Sequence, residues 1–190
     1  MVTATVARPG AASARVTDGS PFAVFSLTLL LLALGYFVLV RPDASFAERF
    51  LNEAFGLADG AWRVANGQVP SVDFVSPYGA ATYLPTAAGL LLDYSVGGAL
   101  AFGHFLTAAF LLPLICLAAR RRVSTLPALV LVVLAFLLVL APVRLGGSYT
   151  DLTWAIDYTR QGWAGLAVVL PYYLEPRRIG RRDLWVDTVV

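Results

Sequence analysis

The sequence predicts an all-α fold, a polytopic transmembrane helical bundle with interfacial helices in its first outer loop, and three observations predict it. Of 190 residues 58% are hydrophobic and only 14% are charged, with a mean hydropathy of +0.73; an ordinary soluble domain carries about a quarter charged residues. The apolar residues are gathered into uncharged runs, three of which reach the roughly 20 residues needed to cross a bilayer. The arginines, finally, are divided unequally between the two sides that those runs would create.

Taken in order, residues 1–20 are rich in Ala, Ser, Thr and Gly with Arg8 and Arg15, and read as a disordered cytoplasmic tail. Phe22 to Val40 is the first span. A basic tail before an apolar run is also the pattern of a signal peptide, with Ala44-Ser45-Phe46-Ala47 as a cleavage site. The run exceeds the roughly 7 to 15 residues of a signal's apolar core, so an uncleaved anchor is expected. Residues 41–95 form an outer loop with acids at Asp43, Glu48, Glu53, Asp59 and Asp73. Within it, residues 80–92 are apolar but too short to span, and predict an interfacial or re-entrant helix stopped by Asp93.

Val96 to Ala119 is the second span, closed by Arg120-Arg121-Arg122; a very short turn leads to the third, Leu126 to Val143. A second polar loop, Arg144 to Gln161, precedes a shorter apolar run, Gly162 to Leu174, read as a fourth span. The membrane domain thus covers residues 21–176, and residues 177–190 are a cytoplasmic tail or the start of a further span. In this arrangement nine arginines lie inside (Arg8, Arg15, Arg120 to Arg122, Arg177, Arg178, Arg181 and Arg182). Five lie outside in longer loops (Arg41, Arg49, Arg63, Arg144 and Arg160), which places the N-terminus in the cytoplasm of a multi-pass plasma (inner) membrane protein.

Several functions are excluded early. A net charge of +2 with arginines in short clusters offers no basic face for nucleic acid. Cys116 is the sole cysteine, so neither an intramolecular disulfide nor a cysteine metal cluster is available. His104, the sole histidine, sits inside the second span and is expected to bond a neighbouring helix. The long spans are almost purely apolar and show no internal repeat, which argues against a transporter.

The informative stretch is Asn52 to Gly79. Leu57, Ala61, Val64 and Ala65 recur at helical spacing, and Gly67 with Pro70 three residues on ends that helix. Glu53, Asp59 and Arg63 therefore fall on or just before a short helix near the membrane surface, with Asp59 and Arg63 on one face. As a surface pair alone these two are worth under about 1 kcal/mol. The next segment, Gln68-Val69-Pro70-Ser71-Val72-Asp73-Phe74-Val75-Ser76-Pro77-Tyr78-Gly79, packs turn formers, a carboxylate and aromatics into a few residues and is expected to hold a fixed shape. Asp73 reads either as a loop-capping carboxylate or as a binding group, and Tyr78 as an interfacial anchor.

Gly67 to Phe74, with Ser76-Pro77-Tyr78-Gly79 and the short apolar helix after it, resembles the first outer loop of the polytopic GT-C glycosyltransferases, the superfamily of protein mannosyltransferases and bacterial lipid-A arabinosyltransferases. In those enzymes the loop comes after span one, carries an acidic motif before a juxtamembrane helix and continues through a G-x-x-P-Y-x-D-F segment. The arginine triplet closing the second span and Asp157-Tyr158-Thr159-Arg160-Gln161-Gly162-Trp163 are similar to the same pattern, so the resemblance runs from Phe22 to about Leu174. It departs where the family has an adjacent Asp-Glu pair and this chain has Asn52-Glu53, with Asp59 six residues on; Ser71 stands for the usual Tyr and Ala80 for the usual Pro.

The resemblance implies transfer of a sugar from a polyprenyl-phosphate donor to an acceptor at the outer face. Glu53 or Asp59 would be the general base and Arg63, Asp73, Tyr78 and Arg160 would bind substrate, the arginines taking the lipid phosphate. It implies no organic cofactor and leaves a divalent metal open. The partners would be the lipid-linked donor, membrane lipids, and further membrane segments or subunits, since the family's members have more spans and this chain reads as an N-terminal portion. A non-catalytic membrane scaffold is the alternative.

Overall fold

The computed structural model describes residues 21–43, 51–140 and 157–174, and those residues form six helices and no strand. Both tails, Arg144 and most of the second outer loop lie outside the described residues.

Helix α1 (Pro21–Gly35) continues without a break into one π-helical turn, Tyr36–Val40. Thr28, buried in α1, donates its hydroxyl to the Val24 carbonyl one turn back at 2.9 Å, which satisfies a polar group in an otherwise apolar helix. Helix α2 (Leu51–Ala65) and α3 (Ala80–Leu91) pack against each other. Helix α4 (Val96–Arg122) is the longest and packs against α1, α3, α5 and α6; α5 (Thr125–Leu140) begins two residues later, and α6 (Asp157–Leu174) lies on α4 and α5.

The packing surfaces are built from small residues. On α5 the buried positions are Ala128, Val132, Ala135 and Val139, at alternating intervals of four and three, while Leu126, Val130, Leu134 and Leu137 face outward. Where α3 crosses α4, a methyl added at Gly89 would lie 2.8 Å from the Ala99 Cα, and Gly103 is equally closed off by Thr86. Such seams let two backbones approach closely, so that dispersion and not side-chain bulk joins the helices.

The same helices leave many of their large residues outside, although Leu112 and Ile115 of α4 are fully buried. The helical runs 22–40 and 96–119 are long and apolar enough to cross a membrane, with mean hydropathies of 2.5 and 2.1. A core helix of a soluble protein can be as long and as apolar, but it is mostly covered by its neighbours; here only 28% and 44% of the residues are buried. Phe22, Leu30 and Phe110 are each about two-thirds exposed or more.

Asp43 fastens the end of α1 to the start of α4. Its carboxylate accepts the Ser95 N–H at 3.0 Å and its carbonyl accepts the Ser95 hydroxyl at 2.9 Å, while Ser95 Oγ caps α4 by accepting the Gly98 N–H at 3.0 Å. Asp93 stands at a left-handed φ of 60° just past α3, where it turns the chain into α4.

One boundary differs from those the sequence predicts. Helix α5 is described as far as Leu140, and the predicted end at Val143 lies outside the described residues. Helix α6 begins at Asp157, five residues before the apolar run at Gly162. Hydropathy marks where a chain becomes apolar, whereas the helix is set by backbone hydrogen bonds that polar residues such as Thr159, Arg160 and Gln161 make equally well.

Candidate functional site

Helix α2 is amphipathic in a mixed manner. Ala54, Leu57 and Ala61 are buried toward α3, and Asn52, Phe55, Asp59, Trp62 and Asn66 are exposed on the other side. It ends in a Schellman turn: the Gly67 N–H bonds the Val64 carbonyl at 3.0 Å and the Gln68 N–H bonds the Arg63 carbonyl at 3.0 Å, with Gly67 at φ 83°. That geometry favours glycine, because a Cβ collides with the next carbonyl when φ is positive.

The two helices meet around one side chain. Tyr83 of α3 is 2% exposed, and its ring lies flat against Gly60, where any Cβ would collide with it. Ser76 gives its hydroxyl proton to the Tyr78 carbonyl, so the 3.0 Å contact between Ser76 Oγ and the Tyr83 hydroxyl has tyrosine as donor. Phe74 and Tyr78 close the seat with ring centroids 6.0 and 6.3 Å from Tyr83, both edge-on.

The charged residues are arranged outward from this seat. The Arg63 guanidinium sits over the Phe74 ring at 5.5 Å and donates Nε–H to Asp59 Oδ2 at 2.8 Å. The bond uses Nε, so it does not consume the two terminal amino groups that form the phosphate-binding edge of the fork. Asp59 keeps 60% of its side chain exposed and Arg63 37%. In the loop, Asp73 Oδ2 accepts the Val69 N–H at 2.7 Å while the Asp73 N–H bonds the Val69 carbonyl at 2.9 Å. The Asp73 carboxylate therefore closes the turn, with Ser71 at φ 65° and its N–H on the Phe74 carbonyl at 2.9 Å. Gln68 Oε1 is buried and has no hydrogen-bond partner among the described residues, an acceptor to which a hydroxyl or amide donor would be favourable.

Tyr78 thus borders the Tyr83 seat, Arg63 reaches it through Phe74 and Asp59 is bonded to Arg63, while Asp73 closes the adjoining turn. Glu53 is not part of that group. It is half-buried in the first turn of α2, six residues before Asp59, which on an α-helix is about 9 Å along the axis and roughly a third of a turn around. Arg160, in the first turn of α6, donates to the Leu137 carbonyl at 3.2 Å, one of the last four carbonyls of α5. Tyr83 and Ser76 are not among the residues the sequence singles out, although a glycine in the interior of α2 and a lone aromatic among the small residues of α3 are both visible signs of a close crossing.

A cavity of about 580 Å³ opens between α3, α4 and α6, lined by Pro85, Leu106, Thr107, Phe110, Leu111 and Gln161 among others. Its wall is apolar except at Thr107, whose hydroxyl bonds the Gly103 carbonyl at 3.0 Å, and Gln161, the neighbour of Arg160. Among the described residues no group of three His, Cys, Asp or Glu side chains is placed to hold a metal ion.

Among the described residues the fold and site define an all-helical protein whose apolar helices expose large side chains, with a short helix displaying a carboxylate–guanidinium couple. No family model, curated protein or solved structure matches the chain, so the reading of this site rests on its own geometry.

Proposed function

We propose that the chain is a multi-pass membrane glycosyltransferase of GT-C type that transfers a sugar from a polyprenyl-phosphate donor to an acceptor at the outer face of the membrane. The observation that carries this reading is the Asp59–Arg63 couple, held against the Phe74 ring and presented to the surroundings rather than to the core. In the reaction the acceptor oxygen or nitrogen attacks the anomeric carbon, the bond from that carbon to the lipid phosphate breaks, and the phosphate departs as an anion. Asp59 takes the acceptor's proton, and the terminal amino groups of Arg63 meet the phosphate oxygens. The apolar cavity beside α4 offers the lipid tail a place between helices, with Thr107 and Gln161 as its polar lining. The exposure of the large apolar residues on α1, α4 and α5 supports the membrane half of the reading.

The test is sugar transfer from a polyprenyl-phosphate-linked donor in membranes containing the full chain. Asp59→Asn keeps size and polarity and removes the base; it is expected to lower kcat by about 10²- to 10⁴-fold, with membrane insertion unchanged. Full activity in Asp59→Asn together with loss in Glu53→Gln would move the base to Glu53, and absence of transfer by the native chain would remove the enzymatic reading.

A second reading, a non-catalytic membrane scaffold, is favoured by a different observation: Asp43, Asp59 and Asp73 each already serve a contact within the fold. Under it both carboxylate variants leave the phenotype of the native chain unaltered.

A further inference from the structure

The loop joining α2 to α3 carries an exposed apolar edge that the proposed reaction does not use. Val69, Val72 and Val75 are 51%, 78% and 97% exposed. Exposed turns ordinarily favour Gly, Pro, Asn, Asp and Ser, and a branched apolar side chain gains nothing there from water. The exposure is not that of a loosely held segment. The Val69 and Asp73 backbones bond each other, Ser71 bonds Phe74, and the far end is closed on Ser76, so the valines are held outward by a hydrogen-bonded frame.

Charge tells what this edge meets. From residue 64 to residue 92 the only charged side chain is Asp73, in a stretch that precedes and includes all of α3. That carboxylate is turned back onto the Val69 N–H. A water-facing connection of this length would hold several charges at ordinary surface composition, and a protein-binding patch would be ringed by polar and charged groups. Leu84 and Leu91 of α3 and Leu92 just after it are also more than half exposed, and Trp62 stands exposed on α2, a residue type enriched where chain meets headgroups. We infer that the Val69–Val75 loop is a membrane-inserting edge that seats its valines in the outer boundary of a lipid bilayer and so holds α2 at the surface. This rests on the membrane half of the proposed function and is independent of any catalytic role for Asp59.

The experiment uses the full chain in phosphatidylcholine–phosphatidylglycerol vesicles with Cys116→Ala as background. Nitroxide labels are placed singly at Val75→Cys, Val72→Cys, Leu30→Cys on the exposed side of α1, and Asn66→Cys, an exposed polar position at the end of α2. Collision with dissolved oxygen, which concentrates in lipid, is compared with collision with a water-soluble nickel chelate. The expected result is an oxygen-to-nickel ratio several-fold higher at Val75 and Val72 than at Asn66, in the direction of Leu30. A high ratio at Leu30 with Val75 no different from Asn66 overturns the inference while leaving the span reading intact; a low ratio at Leu30 as well overturns both. Shielding of Val75 from oxygen and nickel alike means that protein covers the edge, and also overturns it. As a second variant, Val75→Asp in the Val72-labelled chain is expected to raise nickel collision at Val72 without altering Leu30.

Discussion

The helix pair α2–α3 and the helix pair α4–α5 are held together by different means. Among the buried residues of α4 and α5 alanines and valines predominate, joined by larger ones such as Leu112, Ile115 and Leu140, while Phe110, Leu126, Leu134 and Leu137 are exposed. Between α2 and α3 the centre is a large aromatic, Tyr83, hydrogen-bonded and ringed by Phe74 and Tyr78, with charged residues on the outer side. A soluble bundle keeps its bulk inside because burial of apolar area drives its folding. In a hydrocarbon solvent that drive is absent between helices and close backbone approach replaces it. On the membrane reading proposed above, the two pairs meet two surroundings: an apolar one around α4 and α5, and a mixed one, with water and lipid both in reach, around α2.

The comparison breaks most severely at Tyr83. Tyr83→Ala removes the body that α2 packs on and leaves Ser76 without its donor; large aromatic truncations in cores cost about 3 to 5 kcal/mol. The expected outcome is loss of protease resistance across residues 51–79 with the α4–α5 pair still protected, read by limited proteolysis and mass spectrometry. Equal loss in both pairs would show that they are not separate in stability. Gly60→Val approaches the same seat from the other helix, and since the added atoms meet the Tyr83 ring directly, overpacking of about 1 to 3 kcal/mol is expected. A thermal shift monitored by Trp62 fluorescence measures it, against W154F/W163F/W185F as background. An unchanged midpoint would mean that α2 is free to move off α3.

A smaller effect is expected at Gly67. Gly67→Ala keeps every contact and imposes φ 83° on a residue with a Cβ, at about 1 to 2 kcal/mol. Gly56→Ala is the control: nothing lies within 4 Å of a Cβ there, and the helical interior gains about 0.5 to 1 kcal/mol from losing a glycine. Opposite signs at these two glycines of one segment, in the same thermal assay, would confirm that the Schellman turn sets where α2 ends.

Much of this arrangement is legible in the sequence. The two long apolar helices are marked by runs that need no partner to be recognised, because length and absence of charge are properties of the run itself. The end of α2 is marked by Gly67, whose conformational role is local. The turn-closing role of Asp73 is open to the same kind of reading, since its partner Val69 is four residues away. Pairings across sequence distance are not legible. Asp43 holds Ser95 from 52 residues away, and Tyr83 lodges on Gly60, contacts that depend on how helices cross and leave no periodic trace. Arg160 has the sequence signature of an outer-loop residue because the polar stretch before Gly162 looks like a loop; its helical place and its bond to the Leu137 carbonyl depend on α6 packing against α5.

The smallest stability effect expected belongs to the Asp59–Arg63 couple, and its smallness is what makes it decisive. An exposed i, i+4 ion pair contributes about 0.3 to 0.5 kcal/mol, less in salt, because solvent screens it and two side chains must be held still. With Asp59 60% and Arg63 37% exposed, a double-mutant cycle of Asp59→Asn and Arg63→Gln should give a coupling no larger than that in the thermal assay. If sugar transfer is then measured on the same four proteins, a scaffold has no reason to show any difference beyond its stability. An enzyme loses transfer far out of proportion to half a kilocalorie, and loses it in both single variants for separate reasons, proton removal at Asp59 and phosphate binding at Arg63. Arg63→Lys sharpens the distinction further: it keeps the charge and gives up the planar fork, so recovery of stability without recovery of transfer would show that the fork's geometry, and not the ion pair, is what α2 holds out.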